Sequence, residues 1–278
     1  SQNELCLGTD GKGTKIFNIP KQLITDYPFD NNYLDSGTSK VHSVLKDNAG
    51  NLWIAIYQKG VMMIPAQPNS FKYIGYKSIN KSIIGSNCIT SLCRDHKGIL
   101  WIGTDNDGIY GITTELKQKV HYAPHDSPSS VPSTVFGLYE DSEHNLWFGS
   151  YTNGLGRLDK KTGQCSYLQN LTDKNGNRIQ RVYDLVEDQD KRLWIATMGA
   201  GLFYYDLKTG QSVYDPKFNA ATKKYKWISC LLYAGDNHLY VGTYDGIRCI
   251  DLSTDDFKTE EILSRHIIHS LYEDPQGN

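Results

Sequence analysis

Leu-Trp, an apolar residue and then Gly or Ala return through this chain about every 47 residues. Trp53, Trp101, Trp147 and Trp194 stand in Leu-Trp-Ile-Ala, Leu-Trp-Ile-Gly, Leu-Trp-Phe-Gly and Leu-Trp-Ile-Ala. Cys6 and Tyr240 hold the same place in Leu-Cys-Leu-Gly and Leu-Tyr-Val-Gly, so the marked positions step by 47, 48, 46, 47 and 46. A fixed period of this size means one supersecondary unit stacked on copies of itself, because a single unit cannot bury its own apolar face. Six such repeats fill the 278 residues.

Each repeat has the same parts. An apolar strand comes first: Val41-His-Ser-Val44, Ile89-Thr-Ser-Leu92, Val135-Phe-Gly-Leu138, Val182-Tyr-Asp-Leu185, Ile228-Ser-Cys-Leu231 and Ile267-Ile-His-Ser-Leu271. A turn follows at Asp47, Asp95, Asp141, Asp188, Asp236 or Asp274, with Gly or Asn just beyond it in most copies. Asp caps its own turn and Gly or Asn accepts positive φ, so this is hairpin chemistry, and Asp95→Ala is expected to cost roughly 1 kcal/mol. The Leu-Trp strand is next, then a short connection ending in Gly, a third strand, and a weaker fourth at Phe71–Tyr73, Val120–Tyr122, Cys165–Tyr167 and Ser212–Tyr214.

Four short antiparallel strands per repeat, with no sustained 3.6-residue period, predict an all-β chain: a β-propeller of about six four-stranded blades. The small residue after Leu-Trp-apolar lets neighbouring blades approach, while Trp fills the wider gap outside it. Residues 1–278 are read as one propeller domain or a fragment of a longer array. The inner strand at 267–273 is expected to pair with residues 4–9 and close the ring, which removes free edges. Long connections at about 24–40, 74–88, 123–134, 168–181, 215–227 and 259–266 are expected on one face.

Composition narrows the function. Twenty-nine Lys and Arg against 31 Asp and Glu give a net charge of −2, without the basic excess that nucleic acid requires, so no nucleic-acid partner is expected. The first residues have neither the basic nor the apolar part of a secretory leader, as expected of a segment taken from a longer chain. Six cysteines show no metal-ligand spacing, and the eight histidines are scattered. No catalytic residue, metal or cofactor is expected.

The pattern V-x-x-L-x-x-D-x-x-G-x-L-W-I-G-T-x-x-x-G-L, clearest at Ile89–Ile109 and Val182–Leu202, resembles the two-component regulator propeller repeat. That resemblance implies the periplasmic sensor portion of a hybrid two-component histidine kinase anchored in the inner membrane. It also implies carbohydrate-linked sensing, with the rest of its own sensor kinase chain and a homodimer of the full-length protein as partners. Members of that family commonly carry tandem seven-bladed propellers, a β-sandwich, a membrane helix and a kinase. This chain shows six repeats alone, so the segment itself is expected to be non-catalytic. The alternatives are a protein-interaction or dimerisation scaffold, and a propeller lyase or hydrolase.

The candidate ligand site lies on the long-connection face, where a scaffold of this kind carries its variable residues. The residues just before each inner strand are Lys40, Cys88, Thr134, Arg181, Trp227 and His266. The connections after the second strand add Tyr57, Asp105, Asn106, Tyr151, Tyr244 and Asp245. Cationic groups beside a Trp suit an acidic or sulfated oligosaccharide, with charge-assisted contacts to the anion and an aromatic platform for a pyranose face.

Overall fold

Alternating apolar residues, broken every few positions by Asp, Gly and Asn, leave the backbone extended strands and tight turns as its economical conformations. The computed structural model describes residues 3–27, 38–58, 60–66, 84–113, 119–173, 175–214, 227–254 and 257–274, and among them there is no helix. The chain divides into two compact units, Ser1–Gly85 and Ser86–Asn278.

The N-terminal unit holds two three-stranded antiparallel sheets. The first is β1 (Glu4–Gly8), β2 (Thr14–Asn18) and β3 (Leu23–Asp26); the second is β4 (Val41–Lys46), β5 (Leu52–Ile56) and β6 (Gly60–Ile64). The predicted fourth strand at Phe71–Tyr73 lies outside the described residues.

The C-terminal unit is four four-stranded blades, each strand pairing with the next in sequence. They are β7 (Ile89–Arg94) to β10 (Lys119–Tyr122) by way of β8 (Leu100–Thr104) and β9 (Ile109–Ile112), then β11 (Val135–Glu140), β12 (Leu146–Ser150), β13 (Leu155–Leu158) and β14 (Cys165–Tyr167). The third is β15 (Val182–Glu187), β16 (Arg192–Thr197), β17 (Leu202–Asp206) and β18 (Gln211–Tyr214); the fourth is β19 (Ile228–Ala234), β20 (His238–Thr243), β21 (Gly246–Asp251) and β22 (Thr259–Ser264). The first strands β7, β11, β15 and β19 are neighbours in that order, which is the arrangement of successive propeller blades.

The seams between these blades match the roles expected of the repeat. Trp101, Trp147 and Trp194 each sit in an apolar cluster made with the following blade: Trp101 with Val135 and Leu138, Trp147 with Val182 and Leu185, Trp194 with Ile228 and Leu231. Closer to the first strands the small residue does its work. A Cβ added to Gly149 would lie 2.5 Å from the Val182 carbonyl oxygen, and one on Gly103 would lie 3.1 Å from that of Val135.

The Asp turns bind more than their own backbone. In Asp95, Asp141 and Asp188 one carboxylate oxygen takes the N–H groups two and four residues on, at 2.8–3.0 Å. The other accepts the indole N–H of Trp101, Trp147 or Trp194, six residues on, at 2.7–2.9 Å. Asp47 does the same for Trp53 at 2.8 Å, and that indole, followed by the Asn51 amide, holds its carboxyl below the usual carboxylate range. The expectation of a simple cap is therefore too small, because the carboxylate also anchors the packing residue. Asp236 departs from the pattern: Tyr240 replaces Trp, and its carboxylate lies 3.0 Å from His238 Nδ1.

Glutamates clasp consecutive blades. Glu140, at the end of β11, accepts the His96 N–H at 2.6 Å, with Lys160 Nζ 2.6 Å away. Glu187, at the end of β15, accepts the N–H and hydroxyl of Ser142, both at 2.6 Å.

Two expectations are corrected. Residues 259–264 are strand β22 rather than a connection, because Thr259–Ser264 pairs along β21 with only one register shift. Residues 267–273, expected as an inner strand, form no strand. Ile268 nevertheless occupies the position that a next inner strand would take. Its N–H donates to the Thr243 carbonyl at 3.1 Å, the Ser229 hydroxyl donates to its carbonyl, and a Cβ on Gly242 would meet its Cγ2 at 2.9 Å. Thr90 and Gly103 meet Val135 in the same way.

Candidate functional site: an aromatic surface at the connection end

The strands β4, β7, β11, β15 and β19, which precede the Asp turns, each carry a bulge at one place. The ladder shifts register between Val41 and Ser43, Ile89 and Ser91, Val135 and Gly137, Val182 and Asp184, and Ile228 and Cys230. The extra residue, His42, Thr90, Phe136, Tyr183 or Ser229, drops out of the pairing, and a bulge re-aims its side chain. Thr90 and Ser229 use this freedom to hydrogen-bond the following segment.

Phe136 and Tyr183 instead stack on each other across two blades, with centroids 4.3 Å apart and planes at 17°. Tyr151, on the connection after β12, meets Phe136 edge-on at 5.8 Å, and the Arg181 guanidinium lies 5.0 Å from the Tyr151 ring centroid. Burial raises the Tyr183 phenol, followed by its neighbours Tyr244 and Tyr151, with Arg181 opposing. Trp227 and Tyr244 pair at 5.4 Å. Tyr151, Trp227 and Tyr244 are 41%, 47% and 40% exposed, so the patch is open to solvent. Aromatic faces beside a guanidinium can stack on an apolar ring face while binding an attached anion.

The remaining predicted residues are placed as follows. The Asp105 N–H donates to the exposed Cys88 at its carbonyl, 2.9 Å away, and the Asp105 carboxylate accepts the Thr134 hydroxyl at 2.7 Å, so those three join consecutive blades. Asn106 is exposed at φ +78°. Asp245 accepts the Arg265 N–H at its carbonyl, 3.1 Å away. In the N-terminal unit Lys40 pairs with Asp10 at 3.1 Å, and Tyr57 stacks on His42 at 5.1 Å. His266 Nδ1 lies 2.7 Å from the Ser264 carbonyl. With Ile268 in the first-strand position, Ile267 rather than His266 immediately precedes it. Phe136 and Tyr183 were not among the predicted residues.

Asp184 lies beside this patch and accepts the N–H groups of Leu231 at 2.8 Å and Leu185 at 2.9 Å. Desolvation pushes its carboxyl up to about 6, against the downward pull of those two bonds. The folded chain therefore holds a proton there between about pH 4 and 6 that the unfolded chain has released. Stability from this group is present below that window and is lost as pH rises through it. Asp184→Asn should flatten the stability slope between pH 4 and 6 in urea unfolding; an unchanged slope would show that Asp184 does not cause it.

On the opposite end of the same blades, a recess of about 560 Å³ is lined by Arg157, Lys160, Lys161 and His144. Asp173 closes another Asp turn, its Oδ1 accepting the N–H groups of Asn175 and Asn177 at 2.8 Å. The six cysteines are free thiols, and burial pushes Cys165 up to about 12 and Cys93 and Cys230 to about 11.

Successive four-stranded blades, bulged first strands and an aromatic patch at one end define a β-propeller repeat protein. Residues 83–106, 129–152 and 172–199 match the two component regulator propeller family, so the chain carries repeats of that family. Among solved structures it is similar to the extracellular domain of BT3049 from B. thetaiotaomicron, assigned to a hybrid two component system (22% identity, TM-score 0.59). It is also similar to the corresponding domain of BT4673 from the same organism (20% identity, TM-score 0.59). The alignments cover 99% and 100% of this chain but only 42% and 39% of those chains. A protein of unknown function from Bacteroides caccae aligns over 94% of this chain and 92% of its own at 13% identity, TM-score 0.50. No curated protein sequence matches the chain.

Proposed function

We propose that this chain is a non-catalytic, extracytoplasmic ligand-sensing segment of a two-component sensor kinase, and that it binds an anionic oligosaccharide at the connection end of the C-terminal unit. The observation that carries this reading is the Arg181–Tyr151–Phe136–Tyr183 cluster with the exposed Trp227–Tyr244 pair on the adjoining blade. The family of the matched repeats supports the sensor role. A rigid blade array transmits little by itself. A ligand acts by its differential affinity for two arrangements of the array against its neighbours in the sensor, including a second copy.

The test is calorimetric titration with uronate-containing, sulfated and neutral oligosaccharides, alongside a product assay. Acidic sugars should bind without turnover. Arg181→Ala with Trp227→Ala should weaken binding by about a hundredfold, on the scale of two contacts of ~1.4 kcal/mol each. Unchanged affinity in a folded double variant would remove the patch from consideration, and steady product formation would end the sensor reading.

A further inference from the structure

The two glutamate clasps are built alike but surrounded differently. At the second, Glu187 takes the Ser142 N–H and hydroxyl, and Lys191, three residues after Asp188 at φ +70°, stands 3.3 Å from its carboxylate. At the first, His96 takes the place of Ser142. His144, three residues after Asp141 at φ +67°, takes the place of Lys191. A clasp between blades therefore forms without any imidazole, and its structural need explains neither histidine.

Those histidines converge. His96 Nδ1 is 2.8 Å from Glu140 Oε1, the His96 and His144 rings stack with centroids 3.6 Å apart, and one donor atom from each of the three residues lies within 4.8 Å of the others. Tetrahedral ligands at ~2.0–2.2 Å from an ion stand roughly 3.3–3.6 Å apart, so rotation of one exposed imidazole out of the stack, with a small separation of His96 from Glu140, aims all three at a common ion. Two imidazoles and one carboxylate suit a borderline first-row ion rather than calcium or magnesium, which take oxygen ligands. Both histidines are exposed, which leaves coordination positions for water.

We propose that His96, Glu140 and His144 form a binding site for a divalent transition ion of the zinc or nickel class. Lys160 Nζ, 2.6 Å from Glu140 Oε1, is the competing cation, and the ion must displace it. The spacing of these residues matches no metal motif, because they come from two successive turns and a strand end.

The chain, freed of any oligohistidine tag, is titrated with Zn²⁺ and Ni²⁺ by calorimetry, with Ca²⁺ for comparison. One transition ion per chain should bind, and Ca²⁺ should not. His96→Ser with His144→Lys copies the surroundings of the second clasp, so it should keep the wild-type melting temperature. It should lose at least ~10-fold in affinity, since even partners outside the ligand sphere are worth that much. Lys160→Met should bind more tightly than wild type. Absence of one-to-one Zn²⁺ or Ni²⁺ binding, or equal affinity in the folded double variant, overturns the site. A Lys160→Met affinity no higher than wild type overturns the competition.

Discussion

Asp141→Ala should lower the unfolding free energy by about 3 kcal/mol, well above the cost of losing a turn cap. The substitution leaves the N–H groups of Glu143 and Asn145 without their acceptor, and strands the indole N–H of Trp147 in the seam with β15. A buried donor left unpaired costs ~1–3 kcal/mol, and bonds to a charged acceptor are the stronger ones. Asp95→Ala should behave alike through Trp101. Asp47→Ala should cost clearly less, because Trp53 is 39% exposed and its indole can turn to water. Asn at position 141 can serve the turn or the indole with its one carbonyl oxygen, and should fall between. Urea unfolding of the four variants gives the comparison. Equal losses at positions 47 and 141 would mean that the indole bond contributes nothing and that the turn alone sets the cost.

Gly149→Ala should cost about 2 kcal/mol, and any larger side chain should prevent the β11–β14 and β15–β18 blades from packing. The new methyl would sit 2.5 Å from the Val182 carbonyl oxygen and 2.7 Å from its Cγ1. Neither can retreat while Val182 remains fully buried and paired to Thr197. Overpacking a closed seam typically costs ~1–3 kcal/mol. The next blade supplies the control, for Ala196 fills the equivalent position with no exposed surface. Ala196→Gly should therefore cost about 1.5 kcal/mol through lost burial and added chain entropy. If Gly149→Ala proves neutral in thermal and urea unfolding, the two seams are equally wide and the glycine is incidental.

Most of the scaffold was legible because the repeat states each position several times. Trp, the small residue and the turn Asp each recur at one place per repeat, and four or five copies separate the rule from local accident. The link from Asp to the indole six residues on was equally regular in the sequence. It is not legible there, because strand alternation alone accounts for the Trp and turn chemistry alone for the Asp, leaving nothing that joins them. The candidate site was legible only in part. Arg181, Tyr151, Trp227 and Tyr244 stand at predictable strand ends, whereas Phe136 and Tyr183 lie inside strands, where alternation assigns them an ordinary face. A signal was present: the apolar pairs Val135–Leu138 and Val182–Leu185 are three apart, one more than a regular strand allows. That extra residue is the bulge. The interval between Ile268 and its blade was invisible for another reason, because its place is set by packing on Gly242 and Ser229 rather than by a ladder of its own.

The position of Ile268 gives the array a direction. In the C-terminal unit each blade receives, on the seam beside its small residue, the opening segment of the sequence that follows it, Ile268 included. A blade whose following first strand has not yet been synthesised therefore leaves this apolar seam uncovered. Assembly of this kind proceeds from the N-terminus, one overlap at a time, and a seam is covered before the rest of the following blade exists. For anyone dividing or recombining such chains, the natural severing point lies after Leu271 and its counterparts, within the Asp turn, and not in front of the opening strand where the written repeat begins.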